Sequence, residues 1–313
     1  MYFPYFRGRQ YELLALRELA ENNLLSKKVK PIVEPVKFSS TFFKTIKCFL
    51  KKNYDLGIVC NPTVGDFKRG FKIQNGMEQN EFIEAIKEGD ILKTFIINDD
   101  VQDYISACEK SLFMSRSNFI VILKTPDDIK KYKEIYKEES AKYILLPLAT
   151  RRGVYGDKVL FENKFNKKTK NADYITCTNE FFSDDHLYYQ DEGYCGVADY
   201  SIIGDEYIET GFAPYAVAIH IVYMDENNAL RINHFVSKTN SDYNDTAGKY
   251  YEALEELHSW YNSHEFDVKN ETSSLRTFLS HYQQQTYPGL GTVKKLSIMH
   301  HLELMGKFLE GEM

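Results

Sequence analysis

The run Lys-Val-Lys-Pro-Ile-Val-Glu-Pro-Val-Lys, residues 28–37, decides how the rest of the chain is read. It is a short β-branched segment between a helical stretch and a polar turn, with a carboxylate, Glu34, near its carboxyl end. Later strand-like runs repeat the design: an apolar body, then one polar residue where the strand gives out. Upstream, residues 9–25 read as an amphipathic helix, with Leu13, Leu16 and Ala20 at helical spacing and Glu12, Arg17, Glu18 and Glu21 toward water. Downstream, residues 41–52 place Phe42, Ile46 and Phe49 on one helical face.

Strands are then expected at 56–61, 94–98, 119–124 and 143–148, alternating with helices at 80–87 and 101–113. A further helix opens at Thr125-Pro126-Asp127-Asp128, which supplies a cap, a first-turn proline and early acids. Past residue 150 the alternation weakens. Strands are expected at 158–165, 196–203 and 215–223, with a polar loop at 167–175 and a short helix at 181–190. The turn Asp225-Glu226-Asn227-Asn228 joins residues 215–223 to 230–237 as a β-hairpin. Residues 245–313 read as helical apart from loops.

Strand and helix in this cadence imply parallel strands joined by right-handed crossovers. About eight strands in roughly 240 residues is the size of a barrel. The expected fold is therefore α/β, a (β/α)8 TIM-barrel-like domain over residues 1–240 with a late β-hairpin. A helical carboxyl-terminal extension, residues 241–313, packs on it. A doubly wound sheet is the alternative, but no Gly-x-Gly-x-x-Gly follows an early strand. The hairpin departs from a plain barrel and leaves closure by the last strand open.

The bulk numbers narrow the function. Among 313 residues, 39 basic and 45 acidic side chains give a net charge of -6, which argues against non-specific attraction to a phosphate backbone. With 23 Tyr and 21 Phe, aromatic packing is heavy and some rings are free to line a groove. The five cysteines have no paired spacing, so neither a zinc knuckle nor a disulfide scaffold fits, and a reducing cytoplasm is the natural expectation. No apolar run approaches the ~20 residues needed to span a bilayer.

Side chains alternate faces along a strand. If the strand-end polar residues all point inward, Glu34, Asn61, Asn98, Lys124, Glu162, Asp199 and His220 form one ring at the carboxyl mouth, where barrel active sites sit. Glu34 and Asp199 then suit acid–base work or metal ligation, His220 acid–base work, and Lys124 the holding of an anion. Lys124 with Glu162 also fits a purely structural ion pair. Residues 204–214 are placed to plug the mouth or leave it open.

Arg151 and Arg152, just after a strand, suit bidentate contact with phosphate or carboxylate. Pro288-Gly289-Leu290-Gly291-Thr292 runs into a helix bearing Lys294 and Lys295, an anion site in principle but without the P-loop spacing. His300-His301 with Glu303 lacks the His-Glu-x-x-His metal spacing, and His300 also fits a packed core histidine. No Gly-x-Ser-x-Gly elbow and no Cys/His pair marks a covalent nucleophile.

Tyr2-Phe3-Pro4-Tyr5 with Arg7-Gly8-Arg9-Gln10-Tyr11-Glu12, then Pro31-Ile32-Val33-Glu34-Pro35, resembles the Beta-protein family of phages and bacteria. So do Gly196-Val197-Ala198-Asp199-Tyr200 and Ala218-Ile219-His220, while Tyr287-Pro288-Gly289-Leu290-Gly291 with Ser297, His300 and His301 is similar to its bacterial subgroup. The resemblance implies a role in phage–host conflict, with members near mobile elements and phage-defence genes. It supplies no catalytic residue to carry over, and it leaves cofactors unknown. The leading expectation is a cytoplasmic barrel acting as a recognition or partner-binding component of a phage-defence-type system. Its partner would be a protein encoded nearby or a phage component, with no membrane involved and a homo-oligomer left open. The alternative is a barrel enzyme acting through the strand-end ring on a phosphate-bearing ligand: a phosphorylated metabolite, nucleotide or nucleic acid. A third reading is a phage-type binding protein with no ligand.

Overall fold

The computed structural model describes residues 1–73, 76–209 and 214–313. The chain divides into two compact units. One holds Met1–Asn23, Lys27–Asn163 and Tyr188–Tyr200; the other holds Leu24–Ser26, Lys164–Leu187 and Ser201–Met313. The expected boundary at residue 240 falls inside the second unit.

The elements of the first unit begin with β1 (Tyr5–Phe6), α1 (Gln10–Glu21), β2 (Ile32–Val33), α2 (Ser40–Lys52) and β3 (Leu56–Val59). Next come α3 (Phe67–Ile73), α4 (Gly76–Lys87), β4 (Ile91–Ile96), α5 (Val101–Leu112) and β5 (Ile120–Ile122). They are followed by α6 (Pro126–Tyr136), β6 (Tyr143–Leu146) and β7 (Lys158–Phe161). Beyond these lie β8 (Asn179–Ser183), α7 (Asp185–Tyr188), β9 (Gly196–Ala198), β10 (Ala218–Met224) and β11 (Leu230–Val236). Three long helices complete the chain: α8 (Thr246–Tyr261), α9 (Ser273–Gln284) and α10 (Leu290–Glu310).

In the first unit eight parallel strands run in the order β1-β2-β3-β4-β5-β6-β7-β9. The sheet curls until its ends meet, because the first residues bond to both edges. Ile32 N donates to Pro4 O and Glu34 N to Phe6 O, while Phe3 N donates to Val197 O and Tyr5 N to Asp199 O, each at 2.8 Å. The fold is therefore α/β and TIM-barrel-like, but the strands are counted differently from the expectation. The amino-terminal Tyr5–Phe6 is the first strand, with an isolated bridge at Tyr2 before it, and residues 196–198 are the last. The hairpin of β10 and β11 is outside the barrel. It pairs with β8 in a separate three-stranded antiparallel sheet.

Register fixes which residues face inward, since partners on parallel strands share a face. The pairs Tyr5↔Ile32↔Gly57, Val59↔Thr94↔Ile120↔Tyr143 and Phe161↔Ala198 run round one face. That face is the interior: the Phe3 and Tyr143 rings meet across it at 5.1 Å, and a Cβ on Gly57 would lie 2.8 Å from Ile32 Cγ1. The opposite parity, Phe95, Val121, Leu123, Ile144 and Leu146, packs under Val101 and Ile105 of α5 and Tyr132, Ile135 and Tyr136 of α6. Burying such a layer stabilises by about 1.5–3 kcal/mol per large side chain relative to exposure. Helices follow the first five strands. After β6 the connection is irregular, and between β7 and β9 lie β8 and the short α7.

In the second unit α10 is buried nearly all round, from Val293 and Leu296 to Leu304 and Met305. His300 on this helix has its Nδ1 2.7 Å from Thr272 Oγ1 and its Nε2 2.7 Å from Val222 O. Trp260 of α8 packs on Tyr223 and Phe235. Among the described residues, no helix is long and apolar enough to cross a membrane.

Candidate functional site

Counted on from the inward register, the positions just beyond β1 to β5 are occupied by Arg7, Glu34, Asn61, Asn98 and Lys124. The facing arc, from β6, β7 and β9, is Leu145, Phe161 and Tyr200.

Glu34 is completely buried. Its carboxylate accepts from the Tyr5 hydroxyl at 2.6 Å, from Thr63 N at 2.6 Å and from Thr63 Oγ1 at 2.8 Å, and it pairs with the Arg7 guanidinium. Burial alone would push this carboxyl up. The Tyr5 hydroxyl, Arg7 and both Thr63 donors outweigh it and hold the group below its ordinary value. Arg7 lies over the rings of Tyr5 at 5.4 Å and Tyr200 at 5.8 Å. Burial opposes its charge, but Tyr5, Glu34 and Tyr200 together raise its pKa. Tyr200 in turn meets Tyr5 at 5.4 Å and Phe161 at 4.8 Å.

Local sequence explains this precision. Glu12 in the first turn of α1 accepts from Arg7 N at 3.0 Å and Arg9 N at 3.3 Å, which ties the end of β1 to the helix start. Gly8 turns the chain with φ +62°, and a Cβ there would lie 3.0 Å from Val33 Cγ1.

The other expected site residues separate. Asn61 is committed to the sheet: its Nδ2 donates to Ile96 O at 2.7 Å and its Oδ1 accepts from Ile96 N at 2.9 Å. Asn98 carries a buried Oδ1 with no hydrogen-bond partner among the described residues. Lys124, Arg151 and Arg152 are exposed. Arg151 reaches the Tyr194 hydroxyl.

Three acids and bases leave the ring. Glu162 follows Phe161, whose ring packs on Tyr5 inside the barrel, so Glu162 turns to the outer face; there it accepts from Leu148 N at 2.8 Å. Asp199 likewise follows inward Ala198 and accepts from the Tyr2 hydroxyl at 2.7 Å, on the parity opposite Tyr5. The reason is register: a slip of one residue moves a side chain across the sheet. His220 lies within β10 of the antiparallel sheet, not at a barrel strand end. Lys294 is on α10 in the second unit. Of residues 204–214, positions 210–213 lie outside the described residues.

Tyr5, Arg7, Thr63 and Tyr200 were not among the expected site residues. The signal for Arg7 is present in the sequence: Tyr2 to Phe6 is an apolar run ending in one polar residue before a glycine and a helix, the same design as residues 28–37. Nothing local marks Thr63 or Tyr200.

A cavity in the first unit, about 240 Å³, is apolar and lined by Ile58, Phe67, Phe82 and Ile86 with Cys60 and Cys108. Among the described residues no three His, Cys, Asp or Glu side chains gather as a metal site. Comparison of this chain with protein-family models, with curated proteins and with solved structures finds no match.

Proposed function

We propose that this chain is a recognition component, of the phage-defence type that its short motifs resemble, whose barrel mouth receives a segment of a protein partner. One observation carries the reading. Asn98, just beyond β4, carries a buried hydrogen-bond acceptor, its Oδ1, without a partner among the described residues, while the carboxylate of Glu34, just beyond β2, is already bonded by Tyr5, Arg7 and Thr63. An orphan acceptor costs about 1–3 kcal/mol in the free protein, a cost removed when a ligand donor reaches it. A carboxylate held ionised by three neighbours is a poor general base.

The rim supports an acidic partner segment. Lys124, Arg151 and Arg152 are exposed cations on the connections after β5 and β6, and Leu148, 47% exposed, stands beside the two arginines. Arginine next to exposed apolar surface is the composition of binding hot spots. The partner is a protein encoded beside this chain or a phage component, engaged in the cytoplasm.

Co-expression with the adjacently encoded protein tests this directly. A stoichiometric complex should survive size-exclusion chromatography and be lost in Lys124→Glu/Arg151→Glu/Arg152→Glu, with an unchanged circular dichroism spectrum. A complex indifferent to these substitutions, or none with either the encoded neighbour or phage components, refutes the reading.

A further inference from the structure

The antiparallel sheet of the second unit contains a chain of three side chains that the barrel mouth does not use. His220 on β10 and His234 on β11 are directly opposite in register, so their rings share one face. Their Nδ1 atoms are 2.7 Å apart, and His234 Nε2 is 3.2 Å from Glu180 Oε1 on β8. Glu180 is fixed by Asn166 Nδ2 at 2.8 Å and by Lys168 Nζ at 3.7 Å. The Phe165 and Tyr174 rings enclose His220 with centroids at 5.2 and 4.8 Å. Tyr174 is itself held, since its hydroxyl accepts from Lys168 N at 3.0 Å.

Proton bookkeeping along this chain has one solution for neutral rings. An ionised Glu180 only accepts, so His234 carries its proton on Nε2. Its Nδ1 is then a lone pair, and His220 must donate from Nδ1. That leaves His220 Nε2 as a bare acceptor, and among the described residues nothing hydrogen-bonds it. The groups that face this array are Glu180, His234, Lys168, Tyr174, Asp173 and Cys177. Burial, then the neighbouring His234, lowers His220 to about 3, so the ring stays neutral well below ordinary histidine values. Burial also lowers His234, against the raising effect of Glu180.

We propose that His220 Nε2 is a second, independent site on this protein: a hydrogen-bond acceptor for a small hydroxyl-bearing ligand, with His234 and Glu180 as its positioning residues. The ligand O–H donates to Nε2. The carboxylate thus sets the tautomer of His234, and His234 in turn sets that of His220.

Diethyl pyrocarbonate is the probe, because it acylates only an unprotonated imidazole nitrogen. At pH 5 an ordinary histidine, pKa 6.5, is mostly protonated and slow. His220 should be ethoxyformylated first, as mapped by peptide mass spectrometry. Glu180→Gln should slow that reaction by about tenfold, the equivalent of one pKa unit of basicity. In the unsubstituted protein, ring ¹⁵N shifts should show His220 protonated on Nδ1 and His234 on Nε2. Modification of His220 no faster than that of exposed histidines, an Nε2-protonated His220, or a folded Glu180→Gln variant with unchanged reactivity would each overturn the proposal.

Discussion

Removing Glu34 alone from the buried pair at the barrel mouth should cost more than removing both partners. Glu34 is 0% exposed in its side chain and Arg7 8%, so water does not take over the missing bonds. In Arg7→Met the carboxylate keeps Tyr5 and both Thr63 donors, which places the loss near the lower end of the ~3–5 kcal/mol typical of a broken buried pair. In Glu34→Leu the guanidinium stays between Tyr5 and Tyr200, and the Tyr5 hydroxyl and Thr63 N lose their acceptor, so the cost sits near ~5 kcal/mol. The double variant, Arg7→Met with Glu34→Leu, removes the orphaned charge and leaves only neutral donors unpaired, about 1–3 kcal/mol. It should therefore be more stable than Glu34→Leu alone. Urea unfolding followed by far-ultraviolet circular dichroism reads all three. At ~2–4 °C per kcal/mol for a body of this size, Glu34→Leu should lower Tm by about 10–20 °C. Additive losses, or a Glu34→Leu cost under about 1 kcal/mol, would mean that the network is not the keystone of the mouth.

Asn98→Ala separates binding from stability: unfolding free energy should change by no more than about 0.5 kcal/mol or rise, because the buried acceptor has no partner to lose, yet partner binding should weaken. A stability loss without a binding loss would contradict it. Gly65 bears φ +75°, and a Cβ there would come 2.7 Å from Val36 Cα, so Gly65→Ala should destabilise by at least about 2 kcal/mol in urea. Acid sensitivity should come from the second unit. Burial, chiefly, holds His300 at about 4 and His301 at about 3, both below their ordinary 6.5. The unfolded chain therefore takes up protons first: this stability is complete above pH 6.5 and drains as pH falls toward 4, by ~1.4 kcal/mol per pH unit for each histidine. A urea midpoint that is flat between pH 6.5 and 5 contradicts the assignment.

The barrel was readable from β2 onward because its strands are β-branched runs separated by amphipathic helices with caps, as at Thr125 to Asp128. The first strand was hidden. It is short, aromatic rather than β-branched, and preceded by Pro4, and the partners on one of its edges, Val197 and Asp199, lie nearly 200 residues further along the chain. The hairpin was visible as a hairpin, but local alternation carries no information about which sheet a strand joins, so His220 was assigned to the wrong one. Glu34 is buried against Tyr5 and Arg7, whereas Asn61 is taken up by the Ile96 backbone and Lys124 is exposed. Glu162 and Asp199 take the opposite parity to the one expected, since their strands were phased from the polar tip. The neighbouring strands set the phase instead, through Val159↔Gly196 and Phe161↔Ala198. Thr63 and Tyr200 enter the site through three-dimensional contacts alone.

The titration of Glu34, followed through its side-chain carboxyl ¹³C resonance, tests the account at its centre. A carboxylate bonded by Tyr5, Arg7 and Thr63 should keep its charge to below the ordinary glutamate value of 4.5, with its midpoint shifting up in Arg7→Met. A midpoint above 4.5 in the unsubstituted protein would show a carboxyl poised to exchange protons, and the mouth would then be a site of acid–base chemistry and not one of recognition.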